Sequence, residues 1–207
     1  FVGHCAPMQT VQKLVGLAAA CTTSVLVSGD TGTGKSTVAR AIFAHTAKPR
    51  GTLTVIECTA VPEDYESFVS ISNKSSGTVI LDEVGDLSLN TQGMLVRALK
   101  ALESAVDNHC RIVSTTQHDL IAMVQDKRFR EDLYYRLNVL PIQVPALKTR
   151  GADILLLAEY FLQEASAGSP KSLSSAAAKV LLDASWPGNV RQLRNLMHHL
   201  NVTVRSA

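Results

Sequence analysis

The 207 residues predict one parallel α/β domain with a small all-helical appendage, and three observations carry that prediction. Short apolar runs rich in Val, Ile and Leu alternate with longer stretches of helical spacing, the pattern left by crossover helices on a parallel sheet. A glycine-rich loop, Gly29 to Ser36, stands directly between the first such run and the helix after it. Beyond Pro145 the strand-like runs stop and only helical patterns continue. A chain of this length suffices for one core and is too short for several large ones.

The elements follow in order. Helical spacing covers Met8 to Ala20, the first strand is read at Ser24 to Ser28, and the glycine loop opens a helix from Ser36 to Thr46. Further strands are expected at Leu53 to Glu57, Thr78 to Asp82, Arg111 to Thr115 and Val139 to Val144, each a short run bounded by turn residues. Helices are expected between them at Leu89 to Glu103, Asp119 to Asp126 and Phe129 to Leu137. In the tail, Ile154, Leu157, Ala158, Phe161 and Leu162 keep helical spacing. So do Ala177, Val180, Leu181 and Ala184, and then Val190, Leu193, Met197 and Leu200. The division is expected between residues 1–147 and 148–207, within Lys148 to Gly151, with Ala167-Gly168-Ser169-Pro170 a loop between the first two tail helices.

Composition narrows the function classes. The hydrophobic share is 46%, which excludes disorder, while charged residues reach only 18%. Soluble domains usually carry roughly 25% charge, so part of this surface is expected to be covered by self-association. A net charge of +2 with no concentrated basic stripe excludes a nucleic-acid binder of the ordinary kind. Apolar stretches such as Ile154 to Ala158 fall far short of a membrane helix, and no signal peptide opens the chain, so a soluble, cytoplasmic protein without membrane contact is expected. Cys5, Cys21, Cys58 and Cys110 form no Cys-x-x-Cys pair and read as reduced thiols. His198-His199 has no thiol or acid at ligand spacing. The chain starts at Phe1 rather than Met, and the expectation is a piece of a longer protein.

Two motifs carry chemistry. Gly29-Asp30-Thr31-Gly32-Thr33-Gly34-Lys35-Ser36 satisfies G-x-x-x-x-G-K-[ST] and sits between a strand and a helix. Glycines let main-chain N–H groups turn in around an anion, and the helix N-terminus adds its positive end. Lys35 supplies a cation for the β- and γ-phosphates and Ser36 a hydroxyl for Mg²⁺, with Thr37 next to it. The second motif is Gly77-Thr78-Val79-Ile80-Leu81-Asp82-Glu83, a buried-strand pattern ending in two carboxylates where α/β sheets bind ligands. Asp82 is expected to hold Mg²⁺ through water, and Glu83 to polarise the water that attacks the γ-phosphate. ATP and Mg²⁺ are the cofactors these motifs imply.

At this level of detail the chain resembles the AAA+ ATPase domain of bacterial enhancer-binding transcription activators that work with the sigma-54 form of RNA polymerase. The resemblance rests on the phosphate loop, on Leu81-Asp82-Glu83-Val84-Gly85-Asp86-Leu87, and on Phe129-Arg130-Glu131-Asp132-Leu133-Tyr134-Tyr135-Arg136-Leu137-Asn138-Val139. It rests further on Trp186-Pro187-Gly188-Asn189-Val190-Arg191-Gln192-Leu193-Arg194-Asn195. It implies a five-stranded parallel P-loop core with an α-helical lid, nucleotide between them, and a homo-oligomer, from dimer to hexameric ring. By resemblance, Arg130 and Arg136 are arginine fingers that reach a neighbouring subunit's nucleotide, Arg191 is the lid's phosphate-contacting residue, and Thr116 and Gln117 stand where the family senses the γ-phosphate.

The chain also departs from the family. Only Glu63 to Ser76 separate Pro62 from Gly77, where the family carries a longer helix and loop ending in Gly-Ala-Phe-Thr-Gly-Ala, a string this sequence lacks. Ala101 to Cys110 looks trimmed as well, and Glu57 replaces the asparagine that restrains the acid equivalent to Glu83. Such departures resemble the relatives that act with the housekeeping sigma factor, some of which bind cyclic di-GMP. Arg40 and Arg150 are candidates to contact guanine or phosphate beside the phosphate loop, but solvation is the expected state of both.

The expected function is therefore an ATP-binding regulatory module of a transcription factor, hydrolysing ATP weakly, with nucleotide controlling self-assembly and no remodelling of sigma-54 polymerase. Two alternatives stay open: a non-catalytic oligomerisation module that binds nucleotide or cyclic di-GMP as a ligand, and an ATPase motor acting on RNA polymerase. DNA is expected to be reached only through a helix-turn-helix outside these residues; a two-component system is the expected setting, and the sequence leaves open whether a receiver or other sensory domain precedes Phe1.

Overall fold

The computed structural model describes residues 3–46, 51–60, 76–104, 109–166 and 172–203. Among these, the elements in chain order are α1 (Ala6–Ala20), β1 (Val25–Ser28), α2 (Lys35–Ala44), β2 (Thr52–Glu57), β3 (Ser76–Asp82), α3 (Leu89–Ser104), β4 (His109–Thr116), α4 (Leu120–Gln125), α5 (Glu131–Leu137) and β5 (Leu140–Gln143). The helices α6 (Asp153–Ala165), α7 (Ser175–Asp183) and α8 (Asn189–Thr203) follow. The residues expected as the loop 167–170 lie outside those described, as do 61–75, which contain all but Ser76 of the first segment read as shortened, and 105–108, within the second.

Five strands form one sheet in the order β2-β3-β4-β1-β5, and every pairing is parallel. The five-stranded parallel sheet expected from the sequence is thus the observed one. β3 runs near the middle and is buried from Gly77 to Leu81, which explains its unbroken apolar run: both faces are covered, so no alternation is needed. β5 lies at an edge, the position that tolerates Pro141, a residue with no N–H to donate.

The chain divides into two compact units. One comprises Lys13–Ser28 and Lys35–Gln143, the other Phe1–Gln12, Gly29–Gly34 and Val144–Ala207. In the first, Val79 and Leu81 of β3 pack with Leu95 and Leu99 of α3 and Leu133 and Leu137 of α5. α4 is stopped at its start by Asp119, whose carboxylate accepts from the N–H groups of Ile121 and Ala122. α5 begins two residues later than its apolar spacing suggests, because Arg130 is extended and only Phe129 is drawn into the core.

In the second unit Ile154, Leu157, Ala158 and Phe161 of α6 pack with Leu181, Leu193 and Met197 around Trp186. The indole N–H donates to the Leu181 carbonyl at 2.8 Å, so this buried ring leaves no polar atom unsatisfied and anchors the three helices. No helix among the described residues is long and apolar enough to cross a membrane.

Candidate functional site

In the sheet-bearing unit, β3 delivers Asp82 and Glu83 at its C-terminal end, and α2 opens with Lys35 and Ser36. Folding brings these two motifs together. Lys35 Nζ, only 5% exposed, lies 2.9 Å from Glu83 Oε1. The Ser36 hydroxyl donates to Asp82 Oδ1 at 3.1 Å, although the residues are 46 positions apart. The buried Thr115 hydroxyl donates to Asp82 Oδ1 and accepts the Glu83 N–H at 3.0 Å. Gln117 N–H completes the ring by donating to Glu83 Oε2 at 2.7 Å.

Glu83 adopts φ 56 and ψ 58, a left-handed conformation uncommon for a residue with a Cβ. Such a residue carries roughly 1–3 kcal/mol of strain and persists only where its surroundings hold it. Here Thr115 holds its main chain while Lys35 and Gln117 hold its carboxylate. Glu57 ends β2 opposite Asp82 and is exposed, so the described partners of Glu83 are not residue 57 but Lys35 and the 117 main chain.

The neighbouring loops are tied as well. His118 Nε2 lies 2.7 Å from Asp86 Oδ1, and a Cβ on Gly85 would come within 2.7 Å of the His118 ring, which explains the glycine. Cys58, buried beside Asp82, Asp86 and Glu83, has its pKa pushed up to about 12, by burial first and by those carboxylates second. It is a thiol, not a nucleophile.

The glycine loop belongs to the other unit and is built from main chain. Gly32 and Gly34 take φ +76 and +103, which side-chain-bearing residues rarely adopt. A Cβ on Gly29 would meet the Val144 carbonyl at 2.6 Å, whereas one on Gly34 would meet nothing within 4 Å: the loop is packed behind and open at Gly34. The Asp30 carbonyl accepts from the Thr33 hydroxyl at 2.8 Å, closing the turn.

The helical tail grips this loop. Asn189 Nδ2 donates to the Thr31 carbonyl at 2.9 Å, Arg191 N–H to the Gly32 carbonyl at 3.2 Å, and Arg150 Nη2 to the Thr33 carbonyl at 2.7 Å. Arg150 was expected to be solvated. It is instead 3% exposed, and its Nε and Nη2 also donate to the Pro145 carbonyl. The Asp153 carboxylate is buried too and accepts from His4 N–H at 2.7 Å and from Cys5 N–H at 3.2 Å. Burial pushes its pKa up, but the Cys5 thiol, those N–H groups and the Arg150 charge outweigh burial and hold it below the usual carboxylate range.

Not every expected site residue joins these groups. Arg130 forms a two-pronged pair with Asp132, Nε to Oδ1 and Nη2 to Oδ2 at 2.9 Å each, and Arg136 pairs with Glu103. Both are engaged within their own chain. Thr37 and the Arg191 side chain are exposed, as are Ser36 and Gln117, which nonetheless join the acids through the Ser36 hydroxyl and the Gln117 N–H. Sequence reading missed Thr115, Arg150 and Asn189. Thr115 and Asn189 adjoin singled-out positions, but nothing in the spacing distinguishes a hydroxyl aimed at Asp82 or an amide aimed at Thr31.

Comparison with known proteins places this geometry in a family. Residues 2–147 match the sigma-54 interaction domain and residues 148–207 the AAA+ ATPase lid domain. Nitrogen fixation protein AnfA of Azotobacter vinelandii is 37% identical over 95% of this chain and 42% of its own length. The anaerobic nitric oxide reductase transcription regulator NorR of Escherichia coli K12 is 37% identical over 99% of this chain and 46% of its own. That alignment runs over 235 positions, 28 more than the 207 residues here. The crystal structure of NtrX from Brucella abortus in complex with ADP superposes with a TM-score of 0.87, at 31% identity over 98% of this chain and 51% of that one, and its ATP complex with 0.85. The chain spans about half the length of the curated relatives it matches. It belongs to the sigma-54 interaction family of AAA+ ATPase domains, with the AAA+ lid that accompanies it.

Proposed function

We propose that this chain is the nucleotide-binding regulatory module of a bacterial transcription factor, one that binds ATP with Mg²⁺, hydrolyses it slowly, and uses nucleotide to control its own assembly. A single observation carries the reading: the Lys35–Glu83 pair at 2.9 Å and the Ser36–Asp82 pair at 3.1 Å unite two motifs distant in sequence. The ADP and ATP complexes of the related NtrX support it.

Roles follow from the chemistry of each group. Main-chain N–H groups from Gly29 to Gly34, with Asp30, Thr31, Gly32 and Thr33 between, wrap the phosphates, and Lys35 neutralises them. Thr37, Gln117 and Arg191 add polar contacts. Ser36 and Asp82 offer two hard oxygens, the donor set Mg²⁺ takes when phosphates complete its shell. Among the described residues no group of three or more His, Cys, Asp or Glu side chains is arranged to hold a metal unaided, which fits an ion that arrives with nucleotide. Bound Mg²⁺ supplies charge neutralisation across the phosphates.

Without nucleotide, Lys35 and Glu83 neutralise each other. A phosphate in the loop competes for Lys35 and frees the Glu83 carboxylate. Glu83 then accepts a proton from water as its oxygen attacks the γ-phosphorus and the bond to the β–γ bridging oxygen breaks, giving ADP and phosphate. Arg130 and Arg136 leave Asp132 and Glu103 to stabilise that charge in a neighbouring subunit. Exposed pairs of this kind hold on the order of 1 kcal/mol or less, so a phosphate outcompetes them. Nucleotide shifts assembly only through differential affinity for the joined and separate states.

The functional division is residues 1–147, α/β, and 148–207, lid. The sequence lacks Gly-Ala-Phe-Thr-Gly-Ala and leaves only Glu63 to Ser76 before Gly77, so no such grip on sigma-54 polymerase is proposed. The assembly is a homo-oligomer between dimer and hexameric ring in the cytoplasm, and DNA is reached through a helix-turn-helix outside this chain. One observation favours the non-catalytic alternative, with nucleotide or cyclic di-GMP as a ligand: both candidate fingers are engaged in their own chain.

A nucleotide titration followed by calorimetry and by mass in solution tests the proposal. Binding of ATP with a rise in mass, and turnover that climbs with protein concentration, is the expected result. No heat with ATP or ADP overturns it, binding without turnover at any concentration leaves the ligand-only module, and open-complex formation with sigma-54 polymerase establishes the motor.

A further inference from the structure

We propose that Arg150 and Asn189 are positioning residues of the phosphate loop, holding the Thr31 and Thr33 carbonyls to one side so that the amides of Gly32 and Gly34 face the other as a preformed anion cradle. The inference rests on the nucleotide-binding reading above and gives it two positioning residues to which the sequence reading assigned no such role.

The geometry is specific. Three consecutive loop carbonyls, of Thr31, Gly32 and Thr33, each receive a donor from the helical tail: Asn189 Nδ2, Arg191 N–H and Arg150 Nη2. In a trans peptide the C=O and the following N–H point in opposite directions. Tying back the Thr31 carbonyl therefore turns the Gly32 N–H forward, and tying back Thr33 does the same for Gly34. Among the described residues an added Cβ on Gly34 would meet nothing within 4 Å, so the loop is uncrowded there, whereas one on Gly32 would run into the Gly188 carbonyl, on the side where the tail holds it.

Both residues are suited to the task. Glycine-rich loops sample many conformations, and freezing one costs entropy that an unheld loop would bring to every binding event. Arg150 bridges two carbonyls with one planar fork, Thr33 on one side and Pro145 on the other. Asn189 works in both directions, accepting Leu147 N–H at 2.8 Å while donating to Thr31. Its φ of +50 is one that Asn tolerates better than most residues. Each is 3% exposed, so neither is a surface group that reaches solvent instead.

A competing account is that Arg150 merely places positive charge behind the loop. Arg150→Lys separates the two, since it keeps the charge and loses the fork, and Asn189→Ala provides a neutral second variant. In calorimetric titrations of this chain with ATP, each is expected to bind about tenfold more weakly, the loss of roughly one hydrogen bond's worth of preorganisation. Turnover at saturating ATP is expected to stay within about twofold of the parent. In nucleotide-free hydrogen exchange, amides 32–34 are expected to exchange faster in both variants while those of β3 do not change, a local readout that a general loss of stability would not produce.

Affinity within twofold of the parent for both variants, or unchanged exchange at 32–34, overturns the proposal. So does failure of both variants to fold, which assigns the residues to folding alone. Should the parent itself bind no ATP, the nucleotide reading falls, and the exchange measurement still decides whether the clamp holds the loop.

Discussion

The two units hold candidate site residues of different material. In the sheet-bearing unit the working atoms are side chains that face one another as ion pairs and hydrogen bonds: Lys35 with Glu83, Ser36 and Thr115 with Asp82. In the other unit they are main-chain groups, shaped by glycines and tied down by buried side chains from a distant part of the sequence. A titratable pair is free to exchange partners when a ligand arrives. A clamped backbone is formed once, during folding, and does not change its chemistry. Reactivity and preorganisation are thus assigned to separate units, and substitutions in the two should fail in different ways.

The largest effect is expected from Arg130→Ala. With the finger gone, ATP turnover under assembling conditions should fall about 10³-fold with binding intact, the scale of other phosphoryl-transfer fingers. A turnover that stays near the parent value would mean that the Arg130–Asp132 pair is only a surface ion pair. Glu83→Gln should follow, retaining ATP binding and losing about 10²-fold or more in turnover, since an amide accepts no proton. Lys35→Ala belongs to the same half but acts on binding, and calorimetry should find roughly 100-fold weaker ATP, the worth of a charged hydrogen bond and ion pair. Arg130→Ala should leave the nucleotide-free melting temperature nearly unchanged, whereas Lys35→Ala, which leaves Glu83 without its buried partner, should lower it; equal loss of binding in all three would contradict the division of roles.

Away from the two residues that hold the loop carbonyls, the clamped unit should fail through stability. Asp153→Asn removes the charge that accepts the His4 and Cys5 N–H groups, and should cost about 1.5–3 kcal/mol in denaturant unfolding. The sign of its pH dependence is set by the direction of the shift. Asp153 is held below the usual carboxylate range, so its contribution is complete above that range and is lost as pH falls through the depressed value. Melting temperature should therefore drop in acid for the parent, and less steeply for Asp153→Asn. The smallest effect is expected from Asp132→Asn. Both partners of the Arg130–Asp132 pair are more than 40% exposed, so stability should change by less than about 1 kcal/mol, and less still in high salt.

Much of the sheet-bearing half was legible in advance. The strand at Thr78 to Asp82, with its uninterrupted apolar run, had to be buried on both faces, and a strand–glycine-loop–helix succession leaves little freedom in what Lys35 and Ser36 face. Elements whose ends depend on a cap or on one extended residue were less legible, as at Arg130 before α5. The role of Arg150 was read wrongly. Its neighbours in sequence, Thr149 and Gly151, suggest an exposed loop, and burial is favourable because its guanidinium meets the Thr33 carbonyl, 117 positions away, as well as that of Pro145.

By itself the sequence determined the class of fold, the order of its elements and the chemistry of both motifs. These follow from local periodicity and from residue types whose spacing is short enough to read along the chain. Tertiary structure alone decided which groups hold the motifs in working shape: Thr115 between the two acids, Gln117 N–H on Glu83, Arg150 and Asn189 behind the glycines. The reason is physical. A buried donor must find an acceptor wherever packing leaves one, and that partner is chosen by the three-dimensional path of the chain, not by distance along it.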